Sequence, residues 1–190
     1  LARRQRQMCI RDSTNTSTIQ IKKRDGRLEP LDIDKIHFVV EEACEGLSGV
    51  SSSQIEINAN IQFYDGMTTK EVQQILVRSA NDLISLEAPN YQYAAARLLS
   101  YDVRKEAHGQ YEYIPLLKLI MRNIRVGVYD KAIVEQFNKT EIKKMNTWIK
   151  RDRDLDFTYA GLRQVVDKYL VQDRSTGALY ETPQDMYMMI

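Results

Sequence analysis

Apolar and polar residues alternate where the patterned part of the chain begins, in residues 18–35. Ile19 and Ile21 alternate with polar neighbours, which is the period of a half-buried β-strand. The Asp25-Gly26 pair predicts a tight turn, because both residue types tolerate the positive φ that such turns need. The pattern therefore predicts a short β-hairpin that leads directly into a helix.

Strand parity separates the lysines of this hairpin. Lys23 is in phase with Ile21 and is predicted to point to the covered face, whereas Lys22 and Arg24 lie nearer the rim. A lysine on a covered face needs an anionic partner. We therefore expect the hairpin to form the lid and floor of a nucleotide-phosphate site. The alternative is a frayed turn with solvated lysines, which the turn taken alone would favour.

Helical periodicity follows the hairpin. Asp32 is a suitable N-cap for the first helix, and a capping-box pattern beginning at Thr68 starts the third. Residues 51–64 are predicted to form the second helix and residues 90–107 the fourth. On the fourth helix, Tyr101 and Lys105 lie four residues apart and are therefore neighbours on its surface. This spacing is equally consistent with two roles. In one, Tyr101 packs against a base or sugar and Lys105 binds a phosphate. In the other, Tyr101 is an aromatic core residue and Lys105 is a solvated lysine beside it.

Residues 109–190 predict further helices over 114–126, 131–138, 140–153 and 157–170, then a hairpin over 170–180 and a last helix from Thr182. Trp148 is predicted to anchor packing, and residues 150–154 to form a solvated charged face. The expected fold class is mainly α. A small β-hairpin lid covers four helices, and a helical domain with one short hairpin follows.

Composition narrows the function classes. The chain has 27 basic and 26 acidic residues, which argues against a dedicated nucleic-acid binder. No apolar run is long enough for a membrane span. Two cysteines cannot form a disulfide framework or a zinc cluster, so a cytoplasmic setting is expected. Any anion site must therefore be a local cluster of cations.

Residues 1–17 differ in character from the rest. They are polar, lack periodicity and contain the string QMCIRDS, which a sequencing-library adaptor encodes in one reading frame. We expect about the first 13 of them to be a translated adaptor; the alternative is that residues 1–17 are a disordered basic tail.

The motifs KKRDG, EPLDIDKI, YDGMTT and YQYAAARLLSYDVRKEAHG resemble an ATP-cone, a regulatory nucleotide-binding domain. The continuation from RDRDLDFTYAGLRQ to ETPQDMYM is similar to the helical N-terminal region of the large (alpha) subunit of class I ribonucleoside-diphosphate reductase. The resemblance covers residues 19–190. It implies an ATP-cone over 18–108 and a reductase helical region over 109–190, truncated before the catalytic barrel.

The resemblance implies a nucleotide site position by position. Lys23 matches a nucleotide-contacting lysine, Thr69 a threonine at the start of the third helix, and Lys105 a phosphate-side lysine. Gln73 and Tyr101 stand where some relatives carry His and Phe, which leaves the choice between ATP and dATP open. The implied nucleotide-binding residues are Lys23, Arg24, Glu29, Pro30, Leu31, Asp32, Ile33, Asp34, Lys35, Thr69, Gln73, Tyr101 and Lys105. Mg²⁺ is expected to bind through the phosphates rather than through protein ligands.

The same resemblance implies an allosteric region of an oxidoreductase that makes deoxyribonucleotides for DNA synthesis. Expected partners are the small radical-bearing beta subunit and further copies of the large subunit, with neither nucleic acid nor membrane. No catalytic residue is expected here, because the reductase cysteines lie in the barrel, so these residues would not turn over alone. Two alternatives remain: a split-gene module that assembles with a separate catalytic chain, and a cone that has lost its ligand and serves only as an assembly surface.

Overall fold

The computed structural model describes residues 19–190, so the expectation for residues 1–17 lies outside the described part. A two-stranded antiparallel sheet comes first and helices follow, which confirms the mainly α fold with a small hairpin. The elements are β1 (Gln20–Lys22), β2 (Leu28–Pro30), α1 (Ile33–Cys44), α2 (Ser52–Asn60), α3 (Thr69–Asn81), α4 (Tyr91–His108), α5 (Leu116–Val126), α6 (Ala132–Gln136), α7 (Lys139–Asn146), a 3₁₀ helix (Arg151–Asp156), α8 (Tyr159–Lys168) and α9 (Pro183–Met189).

The hairpin turns at the predicted position. Gly26 has φ +87°, a left-handed conformation that glycine adopts without a Cβ penalty. The Lys22 amide donates to the Met67 carbonyl at 2.8 Å, and the Gly66 amide donates to the Gln20 carbonyl at 2.8 Å. These bonds fasten β1 to the loop before α3, so the hairpin has a fixed position over the helices.

Side-chain caps set where α1 and α3 begin. Asp32 accepts a hydrogen bond from the Lys35 amide at 3.1 Å. Thr68 and Glu71 form the reciprocal capping box that the sequence predicted, at 3.2 and 2.7 Å. Each cap satisfies amide donors that the first turn of a helix leaves without a partner. Both helix starts are therefore well defined, and both face the hairpin.

Helix α4 is the central packing element. It contacts α1 and α3, and its alanines Ala94, Ala95 and Ala96 are buried, which lets neighbouring helices approach closely. Helix α8 packs on α4 as well, and its Leu162 and Val166 belong to the same apolar core. Helices α5 and α7 build a second cluster around Ile120 and Ile142. The core of the first four helices thus continues into the later part of the chain.

Three details of residues 140–158 correct the sequence reading. The expected single helix over 140–153 ends at Asn146, and the chain continues as the 3₁₀ helix. Trp148 is 56% exposed and anchors no core packing. Asp154 is 1% exposed, so residues 150–154 are not a uniformly solvated face.

Candidate functional site

A cavity of about 640 Å³ lies between the hairpin, the starts of α1 and α3, and the last turn of α4. The structure brings eight of the thirteen predicted nucleotide-binding residues to its wall. These are Lys23, Leu31, Asp32, Asp34, Lys35, Thr69, Gln73 and Lys105. They come from four separate elements, and only the tertiary fold places them around one space.

Three lysines supply the positive charge of the cavity. Lys23 forms an ion pair with Glu29 at 3.2 Å, and Lys35 pairs with Asp32 at 2.9 Å. Lys105 stands on α4 opposite the hairpin. Burial, and then the positive charges of Arg24 and Lys23, lower the pKa of the Lys105 ammonium below its ordinary value. Lys105 therefore lies close enough to Lys23 and Arg24 to be disfavoured as a cation, and an anion beside Lys105 would relieve this repulsion.

Two helix N-termini open onto the cavity. Thr69 is the first residue of α3, and Asp34 lies in the first turn of α1. Backbone amides and the positive end of the helix dipole favour anions at such positions. The N-terminus of α3 therefore adds to the positive potential that the lysines create, whereas the Asp32 and Asp34 carboxylates reduce it at the start of α1.

The remaining wall is apolar or aromatic. It is formed by Ile21, Ile36, Phe38, Val39, Val72, Leu76 and Tyr111. Gln73 lies at the same wall and donates its side-chain amide to the Leu98 carbonyl at 2.8 Å. One cavity thus combines a cationic side with an apolar wall.

Five predicted residues do not line this cavity. Arg24 donates from Nη1 to the Lys105 carbonyl at 3.0 Å, and Glu29 pairs with Lys23. Pro30 is exposed at the end of β2, and Ile33 is 53% exposed. Tyr101 is only 6% exposed and packs in the core. The structure therefore favours the alternative role of Tyr101, an aromatic core residue, over direct contact with a base.

Tyr111 lines the cavity although the sequence reading did not select it. Its hydroxyl donates to a Glu42 carboxylate oxygen on α1, and its ring lies 5.7 Å from the ring of Tyr101. Burial, and then the bond to Glu42, raise the pKa of Tyr111 to about 12. The signal available in the sequence was a pair of tyrosines at alternate positions directly after a helix, Tyr111 and Tyr113.

Comparison with known proteins relates this geometry to a family. A family model described as the ATP cone domain matches residues 19–106, which contain every wall residue except Tyr111. The ribonucleoside-diphosphate reductase 1 subunit alpha of Escherichia coli is 44% identical over 170 residues, 90% of this chain and 22% of the relative. The corresponding Salmonella typhimurium subunit is 43% identical over 173 residues, 91% of this chain and 23% of the relative. The chain belongs to the ribonucleoside-diphosphate reductase alpha-subunit family.

Residues 19–106 are the ATP-cone of this chain. The likeness extends beyond enterobacteria, since the alpha subunit of Enterobacteria phage T4 is 40% identical over 174 residues, 90% of this chain and 23% of the relative. The chain spans less than a quarter of the length of these relatives. Among residues 19–190, no helix is long and apolar enough to cross a membrane.

Proposed function

We propose that this chain is the regulatory region of a ribonucleoside-diphosphate reductase large subunit, and that its cone cavity binds ATP or dATP as an allosteric effector. The observation that carries the proposal is the juxtaposition of Lys23, Lys35 and Lys105 at one cavity. Charge-assisted hydrogen bonds from such cations to phosphate oxygens are among the strongest polar contacts in proteins. The apolar wall opposite them suits a base and a sugar.

The charge balance of the cavity explains why a triphosphate suits it better than a monovalent anion. Lys23 and Lys35 are already paired with carboxylates, while burial, and then the positive charges of Arg24 and Lys23, lower the pKa of Lys105. A polyanion can contact all three lysines at once. Mg²⁺ would accompany it through the phosphates, because Mg²⁺ keeps most of its water and rarely takes an all-protein cage.

The proposed consequence of binding is a shift between assemblies. A nucleotide changes assembly only if its affinity differs between the two states. We propose that ATP and dATP favour different assemblies of the large subunit with itself and with the small radical-bearing subunit. The reduction of ribonucleotides belongs to the whole enzyme, and these residues supply its nucleotide-dependent control.

Titration calorimetry with Mg-ATP and Mg-dATP tests the site. Lys23→Glu and Lys105→Glu replace an attraction with a repulsion, so each variant should lower the affinity at least about 10-fold, since a charge-assisted bond is worth about 1.5–3 kcal/mol. Lys118→Glu is the matched control, because Lys118 is exposed in the first turn of α5 and away from the cavity. It should bind as the wild type does.

Two results would contradict the proposal. If both reversals bind with wild-type affinity while remaining folded, the nucleotide does not occupy this cavity. If the wild-type chain binds neither nucleotide, the cone has lost its ligand and serves as an assembly surface.

A further inference from the structure

Arg104, on the last turns of α4, has an unusual environment. Its guanidinium carbon lies 4.2 Å from the ring centre of Tyr111 and 4.8 Å from that of Tyr113. The Nε and Nη2 atoms are buried and have no hydrogen-bond partner among residues 19–190. Burying guanidinium N–H groups without such partners is costly unless aromatic faces compensate them. The position of Arg104 is therefore tied to the position of these two rings.

Tyr113 carries a second guanidinium. The Arg151 guanidinium carbon lies 4.2 Å from the Tyr113 ring centre. Arg104, Tyr113 and Arg151 thus form one stack of cation, ring and cation, which joins α4 to the 3₁₀ helix. Two like charges on one ring repel each other, so the stack depends on an anion nearby.

Asp185, in α9, is that anion. It is fully buried, and its Oδ1 accepts a hydrogen bond from Arg151 Nη2 at 2.7 Å. Its Oδ2 contacts His108 Nε2 at 3.0 Å. Burial alone would raise the pKa of Asp185, but hydrogen bonds from His108 and Arg151 hold it well below its usual range. Asp185 is therefore an ionised carboxylate that holds α9 on the end of α4.

The histidine contact has a defined direction. The Ile114 amide donates to His108 Nδ1 at 3.1 Å, so Nδ1 is the acceptor and Nε2 carries the proton given to Asp185. Residues 108–114 thus place His108 and Tyr113 against the 3₁₀ helix and α9. The same segment places Tyr111 at the nucleotide cavity.

We propose that the stack of Arg104, Tyr113 and Arg151 couples the cone cavity to α9, so that a ligand in the cavity changes the stability of α9. The coupling begins at Tyr111, whose ring contacts both the cavity and Arg104. It ends at Asp185, which fixes α9 through Arg151. A ligand that holds the Tyr111 ring in one position also holds Arg104, and thereby the stack. This proposal rests on the proposed nucleotide function, because the ligand that acts on Tyr111 is the nucleotide.

A purely structural role for the stack predicts something different. Aromatic and cationic packing would then stabilise the junction equally with and without ligand. Coupling requires that the two ends respond to each other, and only an interaction measurement separates these cases. Tyr113 is the residue to change, because it lies in the middle of the stack and does not line the nucleotide cavity.

Hydrogen exchange of the α9 amides, residues 183–189, with and without Mg-ATP is the test. In the wild-type chain, Mg-ATP should slow this exchange at least about 3-fold. Tyr113→Phe keeps the ring and should behave as the wild type does. Tyr113→Leu removes the ring; it should bind Mg-ATP within about 3-fold of wild type and show no slowing in α9. Should Tyr113→Leu not fold, Arg151→Lys replaces it, because lysine keeps the charge beside Asp185 but loses the planar group that stacks.

The outcomes distinguish the two proposals. Equal slowing in wild type and Tyr113→Leu, or Mg-ATP binding without slowing in the wild type, overturns the coupling and leaves the nucleotide function standing. Absence of Mg-ATP binding overturns the nucleotide function itself. In that case the coupling is tested by a double-mutant cycle. Tyr111→Leu, Arg151→Lys and the double variant are unfolded in urea. The effect of the double variant on the unfolding equilibrium constant should differ by at least about 3-fold from the product of the two single effects. If the double effect equals that product, the coupling is overturned.

Discussion

Arg24 Nη1 donates to the Lys105 carbonyl across 3.0 Å, and this bond joins the turn of the hairpin to the last turns of α4. The bond spans 81 positions in the sequence. It places the Arg24 guanidinium beside the Lys105 ammonium, which helps to lower the pKa of that ammonium. This hydrogen bond therefore holds the hairpin over the cavity, and it also brings a second positive charge close to Lys105.

This arrangement predicts an alkaline limit to nucleotide binding. The Lys105 pKa is lowered in the free protein, so Lys105 loses its charge at a lower pH than an ordinary lysine. Mg-ATP affinity should therefore decrease as the pH rises from about 8 towards the ordinary lysine pKa of about 10.4, a range in which the phosphates are already fully ionised. Calorimetry across this range, at constant ionic strength, measures the decrease.

Lys105→Arg provides the control for that limit. A guanidinium stays charged throughout this range, so the affinity of the variant should change much less with pH than that of the wild type. Parallel curves for the two proteins would show that another group sets the limit.

The capping box of α3 should contribute both to stability and to the site. Thr68→Ala removes the side-chain acceptor for the Glu71 amide and should lower the free energy of unfolding by about 1 kcal/mol. Because Thr69 is the next residue and lines the cavity, Mg-ATP affinity should fall by a few-fold as well. Urea denaturation and calorimetry measure the two effects. Thr68→Ser keeps the hydroxyl and should restore both values.

The His108–Asp185 pair should show strong non-additivity. His108→Leu leaves the buried Asp185 carboxylate without one of its donors and should destabilise the chain by about 1.5–3 kcal/mol. The double variant His108→Leu with Asp185→Leu removes both polar groups, so it should be less destabilised than the sum of the single variants. Thermal and urea unfolding measure these differences, and additive effects would contradict the pairing.

The buried Asp154 carboxyl should make the free energy of unfolding depend on pH. The residue is 1% exposed, and burial raises its pKa from 3.8 to about 6, an effect that Gln184 and Arg151 offset only in part. The folded state binds the proton more tightly than the unfolded state. The contribution of Asp154 is therefore most favourable below pH ~3.8 and is lost as the pH rises through about 6.

Asp154→Asn measures this contribution, because the amide stays neutral at every pH. The stability of the variant relative to wild type should increase between pH ~4 and ~7 by up to about 3 kcal/mol, from a shift of about two pKa units. Urea denaturation at several pH values gives the two curves. A difference that stays constant with pH would show that Asp154 does not titrate in this range.

Local patterns in the sequence determined much of the fold. The alternation at Ile19 and Ile21 with Asp25-Gly26 determined the hairpin, and the Thr68 capping box determined the start of α3. Strand parity placed Lys23 on the covered side, where the structure has it lining the cavity. These features depend on residues within a few positions of one another, so periodicity and cap chemistry suffice to predict them.

Tertiary structure decided which side chains meet. Tyr101 and Tyr111 are both tyrosines near the end of α4, yet one is buried in the core and the other forms a wall of the cavity. Arg151 and Asp154 belong to a run whose composition is typical of a solvated surface, but α9 folds back over it and buries Asp154 beside Asp185. No pattern within one segment specifies these outcomes, because each depends on how distant segments pack and on which charges that packing removes from water.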